Sequence, residues 1–268
     1  VWYYPSPLPR HREGGGTLMG ILPDAVDEAT RIIGEAGGQG MTMRLLGGLA
    51  VRLHSPSARH RALVRTYPDL DFALGEKRGD RAESLLARLG YAAHKAFNLL
   101  NGDRRLLFFD EEHQRQVDMF VGRFHMCHTI PILERLAVES VTLPLAELLL
   151  TKLQIVQMNE KDVRDIAALL LDHPLGDRDR ETVNLGRIAE LCADDWGLWK
   201  TVHLSLDRVE LHGAAFGLEP EAWETIRERL AGLRRVLDDA PKSMRWKLRA
   251  RVGERIPWYD LPEEVQRT

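Results

Sequence analysis

Alternating apolar and polar positions predict two β-strands that carry aspartates on one face. In the strand that begins at Asp69, the apolar side chains occupy one face, so Asp69 and Asp71 share the other. A second strand, over residues 116–121, alternates in the same way and leaves Asp118 opposite its apolar side chains. Three carboxylates close together repel each other unless water or a cation screens them. The apolar positions of the two strands are Leu70, Phe72, Leu74, Val117, Met119 and Val121.

Helical periodicity and turn residues predict most other elements of the first two thirds of the chain. Helices are expected over residues 24–36, 50–54, 80–89, 144–158 and 160–172, with Asp24, Asp80 and Asn159 as N-caps and Pro144 at the start of the fourth. Strands are expected over residues 43–46, over 104–109 and 114–121 as a hairpin, and over 140–143.

His173, Pro174 and Gly176 interrupt the helical pattern and are typical of a domain boundary. Before them, over residues 21–175, we expect an α/β (α+β) domain with a mixed sheet and flanking helices. After them, over residues 176–268, we expect a helical C-terminal domain, which carries five of the six tryptophans. Residues 1–20, which are rich in proline and glycine, are expected to be a flexible lead-in.

Composition narrows the range of partners and compartments. The 268 residues are 44% hydrophobic and 29% charged, which suits an ordinary folded core with a charged surface. A net charge of -3 provides no overall attraction to nucleic acid or membranes, so such a partner would need a local basic patch. Only Cys127 and Cys192 are present, and no apolar stretch is long enough to span a bilayer. We therefore expect a cytoplasmic protein with no membrane partner.

Gly47 and Gly48 lie where a predicted strand turns into a predicted helix. Such a turn exposes backbone N–H groups at the positive end of the helix, where a triphosphate binds well, although Gly-Gly turns also occur without a ligand. Followed in the chain by Asp69, Asp71 and Asp118, the turn favours nucleotidyl transfer with Mg²⁺ or Mn²⁺ bound by carboxylates. In that reaction an acceptor hydroxyl attacks the α-phosphorus of a nucleoside triphosphate (NTP), and pyrophosphate leaves.

A single lysine interrupts the apolar stripe of the helix that begins at Pro144. Lys152 must either extend to water or meet an anion, because burying an unpaired ammonium group is costly. A carboxylate of the site or a nucleotide phosphate would serve as that anion. In the next helix, Lys161, Asp162 and Asp165 are candidate site residues, although acidic side chains in a first turn also stabilise the helix dipole.

Five short motifs together resemble the minimal nucleotidyltransferase superfamily, most closely its AbiEii/AbiGii-type toxin branch. In chain order they are Gly47-Gly48-Leu49-Ala50, the segment from Arg65 to Asp71, Gln116-Val117-Asp118, Leu150-Thr151-Lys152-Leu153, and the segment from Lys161 to Asp165. The resemblance covers roughly residues 41–172. Leu49 stands where the superfamily turn often carries serine, and Arg65-Thr66 lies farther from the first aspartate than usual.

The resemblance implies a nucleotidyltransferase-fold mixed sheet and assigns roles to the candidate residues. Asp69, Asp71 and Asp118 would be the metal ligands and, with Lys152, the catalytic residues. The nucleotide-binding residues would be Gly47, Gly48, Arg65, Lys152, Lys161, Asp162 and Asp165. The substrate would be an NTP, and the acceptor would be a hydroxyl of RNA, of a protein or of a small molecule. The preferred biological setting is a toxin that acts on tRNA and has an antitoxin protein as a partner. An adenylyltransferase acting on aminoglycoside-like antibiotics and a non-catalytic nucleotide- or partner-binding protein are the alternatives.

A basic segment near the C-terminus is a candidate RNA surface. Residues 242–255 contain six basic side chains and one acid, Glu254, and they surround Trp246. Four-residue spacing predicts Met244, Leu248 and Val252 as the buried edge of a helix there. The basic side chains would then remain exposed to bind phosphates, although a solvated helix face has the same composition.

Overall fold

The structure is a computed structural model that describes residues 20–77 and 79–262. The lead-in predicted over residues 1–20 therefore lies, except for Gly20, outside the described residues. Within them the fold is a mixed β-sheet with helices around it, followed by a helical region, and this confirms the predicted fold class.

Five strands form the main sheet in the order β1-β2-β5-β4-β3. Strands β2 and β5 are parallel, and the other neighbouring pairs are antiparallel. The predicted hairpin is present as β4 and β5. The five strands are β1 (Met43–Leu46), β2 (Asp69–Leu74), β3 (Ala92–Ala93), β4 (Arg105–Asp110) and β5 (Arg115–Val121). Two smaller pairs are β6 (Phe124–His125) with β7 (Thr129–Ile130), and β8 (Leu175–Gly176) with β9 (Val183–Asn184).

The predicted helices are present, but four of the five differ from the prediction at their ends. The first continues through Gly37 to Gly38 instead of ending at residue 36. The helix after the glycine turn begins at Gly47 rather than residue 50. Gly79, not Asp80, is the N-cap of the third helix, so Asp80 is its first residue. The fourth ends at Leu153 instead of residue 158, because residues 154–159 reverse the chain before Asn159 caps the next helix. The helices of this part are α1 (Ala25–Gly38), α2 (Gly47–His54), α3 (Asp80–Arg88), α4 (Lys95–Asn101), α5 (Leu145–Leu153) and α6 (Glu160–Asp172).

Residues 140–143 do not form a strand of the sheet. They make only an isolated bridge, in which Thr142 pairs with Leu45 of β1. The Leu45 amide donates to Val141 and the Leu143 amide donates to Leu45, so this extended segment covers the outer edge of β1. Pro144 follows directly and starts α5, which limits the length of the pairing.

The helical region after residue 176 packs on the same buried core as the sheet. Between residue 177 and residue 262, where the described part ends, the α-helices are α7 (Leu185–Asp194), α8 (Trp196–Gly213), α9 (Pro220–Asp239) and α10 (Met244–Val252). One cluster of buried side chains includes Ile166 and Leu169 of α6 together with Leu206 of α8 and Leu230 of α9. The domain boundary at residue 175 remains a prediction. Among the described helices, none is both long enough and apolar enough to cross a membrane.

The orientation of α10 differs from the prediction. Met244, Leu248 and Val252 are 70%, 56% and 38% exposed, so they do not form the buried edge. Trp246 instead faces the protein, where its ring lies edge-on to that of Trp199 at 5.3 Å. Packing of the Trp246 indole against Trp199, and not the four-residue spacing, therefore sets which side of α10 faces the protein.

Candidate active site

The sheet register places the three predicted aspartates at one point. Asp71 of β2 pairs with Asp118 of β5, and Asp69 pairs with Gln116 in the same parallel ladder. On the other side of β2, Asp71 pairs with Leu46, the last residue of β1. Paired residues on neighbouring strands share a face about 4.8 Å apart, so Asp71 lies between the end of β1 and Asp118. The apolar positions predicted for the two strands are fully or almost fully buried.

The glycine turn packs against Asp71. Gly47 has φ = +70°, a conformation that favours glycine, and a Cβ added there would lie 2.0 Å from Oδ2 of Asp71. The N-cap residue Leu46 provides no side-chain acceptor for the first N–H groups of α2. Backbone donors at this helix start therefore lie next to a carboxylate, in the arrangement that the sequence predicted.

Gly48 makes room for an arginine. A Cβ added at Gly48 would lie 1.6 Å from Nη2 of Arg65. The guanidinium donates from Nε and Nη2 to both oxygens of Asp165, at 2.8 and 2.7 Å, and it also lies over the ring of Tyr67. This bidentate hydrogen bond fixes the plane of the guanidinium group. Arg65 is thus held beside the glycine turn.

Lys152 meets carboxylates rather than extending to water. Its ammonium lies 2.9 Å from Oδ2 of Asp165 and 3.1 Å from Oδ1 of Asp162, and 12% of the side chain is exposed. Burial by itself lowers the pKa of Lys152, but the carboxylates of Asp165 and Asp162 raise it above its usual value. Lys152 is therefore charged at neutral pH. The sequence allowed two partners for Lys152, a carboxylate of the site or a nucleotide phosphate. In the structure its partners are carboxylates of the site.

The acidic residues at the start of α6 contribute both to the N-terminus of the helix and to the candidate site. Asn159 caps the helix, and Asp162 accepts from the Asn159 amide as well as from Lys152, so Asp162 serves both the cap and the ion cluster. Asp165, one turn later, joins Arg65 to Lys152. Lys161 is exposed in the first turn, outside this cluster. The sequence placed all of them in the site, but only Asp162 and Asp165 make contacts with the other predicted residues.

Asp71 has the most perturbed carboxyl group of the site. Burial raises its pKa to about 7, and the negative charges of Asp118 and Asp69 contribute in the same direction. The cations Lys152 and Arg105 oppose this rise. These interactions reach Asp71 from β2, β4, β5 and α5, so the charged groups converge on one small volume.

Two residues to which the sequence analysis gave no role hold Asp118. Arg105 of β4 donates to Oδ1 at 2.7 Å, and Gln116 donates to Oδ2 at 2.7 Å. Arg105 pairs with Phe120 across the predicted hairpin, two residues from Asp118. A hairpin register derived from the sequence would therefore have placed Arg105 beside the third aspartate.

A divalent cation fits the chemistry of these donors. Within the described part of the chain, no three histidine, cysteine, aspartate or glutamate side chains are already grouped as a metal site. Burial, and after it the negative charges of Asp118 and Asp69, nevertheless raise the pKa of Asp71, so ionised Asp71 is disfavoured here despite the cations Lys152 and Arg105. Carboxylate oxygens are the ligands that Mg²⁺ and Mn²⁺ prefer, and a cation among them would relieve this repulsion.

Solved structures of low similarity resemble this chain, among them the two that follow. No family model and no curated protein matches the chain. The solution structure of the antibiotic-resistance factor ANT(2'')-Ia is 12% identical, with a TM-score of 0.35, over 79% of this chain and 97% of that one. A tRNA nucleotidyltransferase, solved with a primer tRNA and an incoming ATP analog, is 15% identical, with a TM-score of 0.30, over 78% of this chain and 52% of that one. The chain therefore aligns with about half of the second protein.

Proposed function

We propose that this protein is a metal-dependent nucleotidyltransferase, which moves a nucleoside monophosphate group from an NTP to an acceptor hydroxyl. The pairing of Asp71 with both Leu46 and Asp118 carries the proposal. This register brings together the glycine turn, a type of turn that suits phosphate binding, and carboxylates from two strands. Carboxylates and backbone donors at one point suit a reaction whose catalysis is mainly positioning and charge stabilisation.

The turn and the ion cluster beside it would bind the triphosphate. The N–H groups at Gly47 and Gly48 would donate to phosphate oxygens at the positive end of α2. Arg65 and Lys152, held through Asp165 in an ion cluster that also contains Asp162, form a fixed wall of paired charges next to this turn. A fixed wall loses little conformational freedom when an anion binds. Lys161, exposed at the start of α6, is free of the cluster and would reach toward the nucleotide from outside.

The carboxylates would hold the cation. Asp69, Asp71 and Asp118 are the proposed ligands of Mg²⁺ or Mn²⁺, which when bound would withdraw charge from the triphosphate and lower the pKa of the attacking hydroxyl. Arg105 and Gln116 orient Asp118 by bonds to its two oxygens. Asp71, with a pKa of about 7 before a cation binds, can hold or release a proton near neutral pH.

Transfer of label from differently labelled NTPs tests the function. The protein would be incubated with total RNA, or with a mixture of small hydroxyl compounds, and an NTP labelled at either the α- or the γ-phosphate. Nucleotidyl transfer predicts acceptor labelling from the α-position alone, and Asp118→Asn should abolish it. Labelling from the γ-position would indicate phosphoryl transfer instead. Labelled tRNA would support the proposed toxin setting, in which an antitoxin protein is a partner. Labelling only of small compounds would favour the antibiotic-modifying alternative.

A further inference from the structure

Both carboxylate oxygens of Asp118 accept hydrogen bonds from protein donors. Nε and Nη2 of Arg105 each lie 2.7 Å from Oδ1, and Nε2 of Gln116 donates to Oδ2 at 2.7 Å. Only 6% of the Asp118 side chain and 16% of the Arg105 side chain are exposed. Water therefore screens this ion pair poorly, and the positive charge of Arg105 acts directly on Asp118.

Aromatic rings help to hold the Arg105 guanidinium beside Asp118. Its central carbon lies 5.6 Å from the ring centroid of Phe97 and 5.4 Å from that of Phe120. Phe120 is the cross-strand neighbour of Arg105 in the β4–β5 ladder, and Asp118 lies two residues away along β5. Ring faces attract a guanidinium at distances up to about 6 Å. The sheet register and two aromatic side chains thus fix Arg105 in addition to its bonds to Asp118.

Arg105 places a positive charge where the proposed function requires a divalent cation. The other cations of the site, Lys152 and Arg65, are bonded to carboxylates of α6. Arg105 is bonded instead to Asp118, which is a proposed metal ligand. A guanidinium and a divalent cation a few ångströms apart repel each other strongly in a buried site. A cation that binds Asp118 must therefore overcome the charge of Arg105.

The triphosphate of an NTP supplies charge of the opposite sign. Its several negative charges would offset the repulsion between Arg105 and a divalent cation at the carboxylates. Mg²⁺ commonly binds proteins through one or two carboxylates together with substrate phosphates. The favourable charge balance is thus reached when the cation and the NTP are both present.

We propose that Arg105 makes cation binding at this site depend on the NTP. The inference rests on the proposed function, since it takes Asp71 and Asp118 as the place where the cation binds. Without an NTP, Arg105 offsets the charge of Asp118 and opposes a divalent cation that arrives alone. With an NTP, the phosphates compensate for Arg105, and the cation binds.

The direction of the effect of removing Arg105 separates this role from a purely structural one. A residue that only orients Asp118 would, when removed, leave cation binding weaker. A residue whose charge opposes the cation would, when removed, leave cation binding stronger in the absence of NTP. A damaged fold does not produce such a gain in affinity.

Mn²⁺ binding to the full-length chain, measured by electron paramagnetic resonance at equal free Mn²⁺ with and without an NTP, tests the proposal. The NTPs are non-hydrolysable analogues of ATP, GTP, CTP and UTP, used one at a time. Arg105→Met keeps a flexible apolar side chain between the two rings and should raise the NTP-free affinity for Mn²⁺ at least about tenfold. Mn²⁺ alone should then raise the melting temperature of the variant more than that of the wild type. Arg105→Lys, which keeps the charge, should show a much smaller gain.

Two control variants separate the charge of Arg105 from other causes. Arg104→Met removes an equal charge from the neighbouring residue, whose guanidinium donates to Asn101, and should change the NTP-free affinity little. Gln116→Leu removes the other donor to Asp118 without a change of charge, and it should not raise that affinity. A gain in either control equal to that of Arg105→Met would overturn the role of the Arg105 charge.

The wild type and a second neutral variant, Arg105→Gln, complete the test. Wild-type protein that binds Mn²⁺ as tightly without an NTP as with one would overturn the inference even if no Arg105 variant folded. NTP-dependent binding by the wild type, with no NTP-free gain in Arg105→Met or Arg105→Gln, would refute this inference and leave the proposed function intact. No Mn²⁺ binding by the wild type with any of the four NTPs would refute the proposed function itself.

Discussion

Gly47 lies directly against the carboxylate of Asp71, so that a Cβ at Gly47 would be 2.0 Å from Oδ2. The contact follows from the antiparallel pairing of Leu46 with Asp71, which brings the end of β1 to the middle of the aspartate strand. Because φ is +70° at Gly47, both the backbone and the available space favour glycine there. The turn and the carboxylate are therefore one structural unit.

Gly47→Ala should disturb that unit. A non-glycine residue in the left-handed region costs about 1–3 kcal/mol, and the added methyl group must displace Asp71. We expect a lower free energy of unfolding together with weaker binding of NTP and Mg²⁺, measured by denaturant titration and calorimetry. Gly34→Ala is the control, because its Cβ would meet nothing within 4 Å in α1, where alanine favours helix. Unchanged NTP binding in Gly47→Ala would exclude the turn from the site.

Lys152→Met should destabilise the protein. Removal of the ammonium leaves Asp162 and Asp165 with less compensation, and breaking a buried ion pair costs about 3–5 kcal/mol. In a double-mutant cycle with Asp165→Asn, we expect the double variant to lose less stability than the sum of the single variants. Lys161→Met, at an exposed lysine, should change stability by no more than about 0.5 kcal/mol. Full additivity of the two changes would contradict the ion cluster.

The raised pKa of Asp71 predicts a pH-dependent effect of Asp71→Asn. The folded protein binds the Asp71 proton more tightly than the unfolded chain does, so this group lowers stability as the pH rises from its ordinary pKa, about 4, to about 7. At about pH 4 the carboxyl group is neutral in the folded protein and only partly ionised in the unfolded chain, so the variant should melt close to the wild type. At about pH 8 the variant should melt at a higher temperature. Mg²⁺ should reduce that difference by stabilising only the wild type. A difference that does not change with pH would contradict the raised pKa.

The basic face of α10 gives a prediction that depends on which side chains are exposed. Arg249 bonds to the carbonyls of Gly253, Ile256 and Pro257, so it belongs to the fold and must be kept. Reversing the charges of Arg245, Lys247 and Arg251 together should leave the melting temperature nearly unchanged, because all three are exposed. If α10 binds RNA, affinity should fall and the salt dependence should become shallower. RNA affinity equal to that of the wild type would remove α10 as an RNA surface.

Local pattern was enough to predict the two strands that carry the aspartates and the residues on each of their faces. Alternation placed Asp69, Asp71 and Asp118 opposite apolar side chains because a strand has a period of two. The parallel pairing of Asp71 with Asp118 joins residues far apart in the chain, and no local pattern specifies such a register. The convergence expected from motif order is present in the structure, whereas the assigned roles of these residues remain proposals.

The wrong prediction at α10 and the missed Arg105 have different causes. Regular spacing of Met244, Leu248 and Val252 suggested a buried edge, but packing of Trp246 against Trp199 decided the orientation of the helix. That contact is tertiary, so the local pattern does not contain it. Arg105, in contrast, follows from the predicted hairpin once its register is worked out. The partner of Lys152 is an intermediate case. The free-energy cost of burying an unpaired ammonium group predicted an anion beside Lys152, but only the fold identified Asp162 and Asp165 as that anion.

Binding of Mn²⁺ in the presence of a non-hydrolysable NTP tests the central claim most directly, because it needs no knowledge of the acceptor. Bound and free Mn²⁺ would be measured by electron paramagnetic resonance for the wild type, Asp71→Asn, Asp118→Asn and the control Glu221→Gln, an exposed carboxylate in the first turn of α9. We predict NTP-dependent Mn²⁺ binding by the wild type and the control, and at least about tenfold weaker binding by the two aspartate variants. Equal Mn²⁺ binding by all four proteins, or no binding by the wild type, would contradict a metal-dependent nucleotidyltransferase site at Asp71 and Asp118.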